Sequence, residues 1–225
     1  MKKIKDYYIP KNDKHFEGYF SQFDHYQEAQ RNRALSHVTD WDTAIDIGAN
    51  IGLWSKDFTK FFKKTICFEP NTSCLDCLKK NIDVSKTEIH NIALGSKNTT
   101  GYLYCPDSTG GSSLIDQTKY LGIDEFGKEI WDKFDIKTPK QTVDIKTLDS
   151  FSFLDVGFIK IDVQGYELEV LKGSVNTLKK NNPVVCIEEY KENLDESNEI
   201  NFLKSLNYSV IDRYMKEVVL RKLVI

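Results

Sequence analysis

The chain has 225 residues, 40% of them apolar, with 31 basic and 34 acidic side chains and a formal net charge of −3. That length can bury one large α/β core. The balanced charge offers no field to draw nucleic acid or an anionic membrane, and no apolar run approaches the ~20 residues of a membrane span.

Residues 1–23 are rich in Tyr and Phe without a clear period, and a helix is expected over 24–37. Its Tyr26, Gln27 and Arg31 either line a pocket or belong to a helix that only caps the core. Residues 1–40 are accordingly expected to form an N-terminal capping segment on a domain spanning 41–225. The opening Met-Lys-Lys-Ile-Lys-Asp lacks the apolar stretch of a signal peptide, so a cytoplasmic location is expected.

Thr43-Ala-Ile-Asp-Ile-Gly-Ala-Asn-Ile-Gly-Leu-Trp54 reads as an apolar strand, a glycine turn and a helix start. Gly48 and Gly52 let the backbone turn tightly and approach a ligand, above which the turn presents free N–H groups. A dinucleotide fingerprint would need glycines where Asn50 and Leu53 stand. Asp46, at the carboxyl end of its strand, suits a ligand carrying an ammonium or sulfonium charge rather than a pyrophosphate. The next apolar strand ends in Thr65-Ile-Cys-Phe-Glu-Pro-Asn71, with Glu69 lying 23 residues after Asp46. An acid about 20 residues beyond the glycine turn is the ribose-hydroxyl acceptor of α/β nucleotide sites.

These two blocks are followed by Asn91-Ile-Ala-Leu-Gly95, Thr147-Leu-Asp149 and Phe158-Ile-Lys-Ile-Asp-Val-Gln-Gly-Tyr-Glu-Leu-Glu-Val-Leu-Lys-Gly173. In this order, over about residues 41–190, the chain resembles the FkbM family of S-adenosylmethionine-dependent methyltransferases. It departs at Gln164, where the family's Asp-Val-Glu-Gly carries a glutamate. The resemblance implies S-adenosylmethionine as cofactor. Asp46, Gly48, Ala49, Asn50 and Gly52 would lie under its methionine and sugar, Glu69 with Pro70 and Asn71 at the ribose, and Ile92 and Ala93 against the adenine.

Further along, Trp54, Phe58, Phe61 and Phe62 recur on one expected helix face, and Leu75, Leu78 and Ile82 on another. A third strand is expected over 88–94. Residues 95–140 break the rhythm, with a short strand at 101–105, a Gly/Ser loop at 106–114 and a mixed segment holding Trp131 and Phe134. The loop is either a lid or a plain connection. Strands follow at 141–145, 157–162 and 184–188, and Leu168, Leu171, Val175 and Leu178 mark one helix between the last two. A helix to 206 and a tight hairpin of strands 208–214 and 217–224 close the chain. The alternation predicts a doubly wound, mostly parallel α/β sheet. The resemblance implies that it is the seven-stranded, Rossmann-like class I methyltransferase sheet with an antiparallel C-terminal hairpin. Four strands then deliver Asp46, Glu69, Asp162 and Glu188 to one carboxyl edge, where ligands bind in such sheets.

The expected activity is O-methylation of a hydroxyl on a sugar, glycan or small metabolite, with Asp162 as the base and Glu188 assisting. His90 is a weaker rival base. Alternatives are an RNA 2′-O-methyltransferase using Lys160, Asp162, Lys191 and Glu188, or a non-catalytic scaffold that binds the cofactor, which Gln164 leaves open. Cys74-x-x-Cys77 has no second pair, the other cysteines are isolated, and the histidines at 15, 25, 37 and 90 are scattered, so neither a metal nor a disulfide is expected. No motif speaks to the acceptor's identity or to oligomeric state.

Overall fold

The computed structural model describes residues 1–106, 109–115 and 139–222, so Trp131 and Phe134 lie outside the described residues. A short hairpin (β1, Lys2–Ile4; β2, Tyr7–Ile9) and two helices (α1, Lys14–Gln22; α2, Glu28–Leu35) precede β3, Thr43–Ile47. Then come α3 (Ser55–Phe61), β4 (Lys64–Phe68), α4 (Thr72–Asn81) and β5 (Thr87–His90). A second sheet is built from β6 (Ala93–Leu94), β7 (Thr99–Tyr104) and β8 (Lys140–Lys146). The chain returns through β9 (Val156–Ile161), α5 (Glu167–Lys172), α6 (Val175–Asn181) and β10 (Val184–Glu188). It ends with α7 (Asn198–Ser205), β11 (Tyr208–Tyr214) and β12 (Glu217–Lys222).

The main sheet has seven strands in the order β11-β12-β10-β9-β3-β4-β5, with only β12 antiparallel to its neighbours. Strand order reverses between β3 and β9, which opens a crevice at their carboxyl ends. Period-2 alternation sorts the core. Ile45, Ile47, Ile159, Ile161, Val185 and Ile187 pack with α5, α6 and α7, whereas Ala44, Phe158 and Cys186 pack with α2 and α3. Both faces being covered, these strands read as nearly continuous apolar runs.

Four expectations are corrected. The aromatic N-terminus holds a helix, α1, whose Phe16 and Phe20 are buried against Tyr7, Ile9, Ile51 and Leu53. The 88–94 strand is two elements in two sheets, because Asn91 breaks it and donates through Nδ2 to the carbonyls of Glu69 and Pro70. The helix through Leu168 and Leu178 is interrupted at Gly173. There the backbone passes so near Gly95 that an added Cβ would meet its carbonyl oxygen at 2.0 Å. Asp149 then caps α6, accepting from Asn176 N at 2.9 Å and Thr177 N at 2.8 Å. Finally, Phe61 is 55% exposed beside Trp41, since α3 ends there and the extended Phe62 takes the core position.

Phe58 is fully buried, edge-on to Phe158 at 5.4 Å. Phe58→Ala is therefore expected to cost about 3–5 kcal/mol in urea unfolding, whereas Phe61→Ala should stay within about 0.5 kcal/mol of the parent. Equal losses from the two would contradict this packing.

Candidate active site

The glycine turn is built by backbone crowding. At Gly48, with φ +80°, an added Cβ would lie 1.9 Å from the Asp162 carbonyl oxygen, so β3 and β9 can meet only through a glycine. Gly48 N and Ala49 N both donate to Phe68 O, at 2.9 and 3.1 Å, which joins the turn to β4. Asn50 has φ +49° and donates its N–H to Glu69 Oε2 at 2.7 Å, while Asn71 N donates to Oε1 at the same distance. Glu69 is thus fixed by two backbone donors in a buried position. Burial pushes its carboxyl up to about 7, even though both N–H groups favour the anion.

Alternation along β9 puts Phe158, Lys160 and Asp162 on the face that also carries Asp46. Lys160 is 6% exposed, and its Nζ lies 3.3 Å from Asp162 Oδ2 and 3.6 Å from Asp46 Oδ1. Burial would push this ammonium down, but the two carboxylates outweigh it and hold the group above the ordinary lysine range. Asp46 is fully buried. Its Oδ2 accepts from Ser55 Oγ at 2.5 Å, and its Oδ1 has no hydrogen-bond partner among the described residues. Burial raises the Asp46 carboxyl, with Lys160 and Ser55 opposing. The Lys160 ammonium also sits over the Trp54 ring, 5.5 Å from its centroid, and Trp54 Nε1 donates to Gln27 Oε1 at 2.7 Å.

On the other side of Asp162, Gln164 Nε2 donates to Asp162 Oδ1 at 2.7 Å and reaches Glu188 Oε2 at 3.3 Å. Burial, and after it the Asp162 charge, push the Glu188 carboxyl up to about 8. Glu167, buried beneath, accepts at Oε1 from Val163 N and Gly165 N and so fixes the loop that carries Gln164.

These groups line one cavity of about 270 Å³. Its walls include Asp46, Gly48, Ala49, Asn50, Glu69, Pro70, Ile92, Ala93, Asp162 and Glu188. Gly52 and Asn71 lie elsewhere. Gly52 faces Leu78, where a Cβ would come within 2.6 Å of the side chain, so it serves the packing of α4. Asn71 caps α4 through Ser73 N and positions Glu69 through its own N–H. Tyr26 and Gln27 are on the wall, whereas Arg31 is buried in an ion pair with Asp57 at 2.5 Å. His90 lies against Phe68, ring centroids 4.8 Å apart, and is not a wall residue.

The sequence pattern missed His15, Ser113 and Tyr190 on the walls and Ser55 behind them. It also gave Lys160 no part in the main reading, although a lysine two residues before Asp162 in a buried run must share its face. The cavity's upper side joins α1 to the Gly/Ser loop. Asp13 Oδ2 accepts from Thr109 N and Oγ1 at 3.0 and 2.7 Å, Asn71 Nδ2 donates to Ser112 Oγ at 3.1 Å, and Ser113 Oγ donates to Gln164 O at 2.8 Å.

A seven-stranded sheet with this order and an acid-lined carboxyl edge defines a Rossmann-like class I methyltransferase fold. The methyltransferase FkbM domain model matches residues 46–216, and the chain belongs to that family. A crystal structure of methyltransferase FkbM from Methylobacillus flagellatus KT aligns with a TM-score of 0.52 at 18% identity, covering 80% of this chain and 43% of that one. The precorrin 8w decarboxylase of Methanobacterium thermoautotrophicum aligns at 0.50 with 10% identity, covering 89% and 96%, and shares the fold. Among curated relatives, methyltransferase sdnD of Sordaria araneosa is 30% identical over 152 residues, and hexuronic acid methyltransferase AglP of Haloferax volcanii is 26% identical over 155. The matches take in 57% and 67% of this chain, which spans only 59% and 57% of those relatives.

Glu69 and Glu188 both titrate above their ordinary 4.5 in the folded chain, at about 7 and about 8. A carboxyl raised on folding contributes stability that is fully present below its unfolded value and lost as pH rises through the folded one. Thermal stability of the ligand-free protein should therefore fall between about pH 4.5 and 8, and Glu188→Gln should flatten the upper part of that fall. An identical slope in the variant would count against the burial of this group.

Proposed function

We propose that this chain moves a methyl group from S-adenosylmethionine to a hydroxyl on a sugar, glycan or small metabolite. The observation that carries the reading is the pairing, in one cavity, of a rigid buried carboxylate at Glu69 with a second acid pair at Asp162 and Glu188 across the glycine turn.

The residues fit the cofactor. Gly48 presents bare backbone under the cavity, Asp46 Oδ1 is a buried acceptor without a hydrogen bond among the described residues, and Glu69 keeps free lone pairs for the two ribose hydroxyls. Gly48, Ala49 and Asn50 would lie beneath the cofactor, with Pro70, Ile92 and Ala93 beside its base. Gly52 and Asn71 would act by shaping the turn. When bound, the cofactor supplies an electrophilic methyl group. The protein's larger task is to hold the acceptor oxygen in line with that carbon. Asp162, oriented by Lys160 and Gln164, takes the hydroxyl proton, a contribution of typically ~10²–10⁴-fold. No metal enters this scheme, because each acid of the cavity already has a role. Residues 1–40 would act as a cap on the 41–225 domain, as the places of His15, Phe16, Tyr26 and Gln27 suggest. We place the protein in the cytoplasm on the same reading.

A sugar acceptor draws support from the Haloferax relative's name. The RNA reading is weakened because Lys191 turns its Nζ to the Glu196 carbonyl and is absent from the cavity wall. A scaffold without catalysis would bind the cofactor and show no turnover.

Glu69→Ala should weaken S-adenosylmethionine binding by about 1.5–3 kcal/mol in calorimetry, since a charged double acceptor is lost. Unchanged affinity in a folded variant would remove the ribose assignment, and tight NADH binding by the parent would overturn the reading as a whole. Asp162→Asn should slow single-turnover methyl transfer by ~10²–10⁴-fold. A full rate in that variant would move the base to Glu188.

A further inference from the structure

Gln164 is held at both ends. Its backbone has φ +57°, a left-handed conformation that a β-carbon disfavours, and its carbonyl accepts from Ser113 Oγ at 2.8 Å. The buried Glu167 carboxyl holds the N–H groups on either side of it. With the main chain so fixed, a single side-chain nitrogen spans Asp162 at 2.7 Å and Glu188 at 3.3 Å. Register explains the meeting. Ile161 pairs with Ile187 in parallel, so the next residues, Asp162 and Glu188, arrive side by side.

Two carboxyl groups so close repel when both are ionised, and an amide can donate one proton to each. We propose that Gln164 is a positioning residue: its amide clamps Asp162 to Glu188 and keeps the pair facing the acceptor side of the cavity. The proposal rests on the methyl-transfer reading for its purpose, but not for its geometry. A glutamate at 164 would bring a third negative group to the same spot. The amide therefore sets the charge of the pair as well as its shape.

The charged and titratable groups around the pair come from every neighbouring element. Lys160 and Asp46 lie on the β9 and β3 side, Glu217 and Lys216 on the β12 side, Tyr190 follows β10, Tyr26 comes from the N-terminal segment, and Glu167 opens α5 below. Glu188 pairs directly with Glu217 across β10 and β12, so it has acids on both sides. Among these neighbours, Gln164 is the neutral side chain that donates to both Asp162 and Glu188.

The test follows Glu188 itself. Protein labelled with ¹³C at glutamate carboxyls is titrated by NMR, and the Glu188 signal is assigned by its loss in Glu188→Gln. The parent should titrate near 8. Gln164→Met keeps the length but removes the donor, and Gln164→Glu adds a charge. Each disfavours the Glu188 anion and should raise its midpoint by about one pH unit or more. A residue that merely shapes the loop would lower stability and leave the titration where it was. Unmoved or lowered midpoints in folded variants overturn the clamp. If Gln164→Met does not fold, Gln164→Glu alone decides. Calorimetry of the parent with S-adenosylmethionine separates the two ideas. Raised midpoints without cofactor binding would sink the methyl-transfer reading alone, and binding without raised midpoints would sink the clamp alone.

Discussion

The buried ammonium of Lys160 is what allows this sheet to carry acids at its centre. A carboxylate withdrawn from water is costly unless it is paired or hydrogen-bonded. Asp46 is fully buried in a strand flanked by strands on both sides, and Asp162 follows the neighbouring strand. One lysine, entering between them from β9, partners both. Its ammonium also lies over the Trp54 ring, so the aromatic helix start and the acid pair share one support. Without that charge the crevice between β3 and β9 would hold two uncompensated anions in a low-dielectric wall.

The same edge makes its acids different from one another. Glu69 is gripped by two main-chain donors, a fixed arrangement suited to recognition. Asp162 and Glu188 instead meet through side chains, Lys160 on one flank and Gln164 on the other. Side-chain partners can exchange and protons can move among them. The proposed division between a binding end and a reacting end thus rests on what each carboxyl touches.

Much of this could be read from the chain. The glycine turn, the four acid-tipped strands and the closing hairpin each rest on short-range rules: period-2 apolar runs, punctuating glycines and a two-residue link. Other elements depended on contacts distant in sequence. The strand expected over 88–94 is broken because Asn91 answers two carbonyls after β4, and the helix before β10 is broken because Gly173 lies against Gly95. Neither approach leaves a local signature. The missed α1 did leave one. Phe16, Tyr19, Phe20 and Phe23 follow helical spacing behind the Asp13 cap, a signal hidden by the surrounding aromatics. Within the site, Asp46 and Glu69 announced themselves by position, but Gly52 and Asn71 turned out to be supports behind the wall, a distinction that only packing makes.

The tie between Asp13 and Thr109 joins residues 96 positions apart. Its carboxylate is fully buried: Oδ1 caps α1 through Phe16 N, whereas in a growing chain Oδ2 has nothing to receive until the second sheet's loop has been made. The floor of the crevice also needs β9, which is later still. The apolar seat of α1 lies among residues up to Cys77, so this helix has its packing partners well before its last polar tie can form.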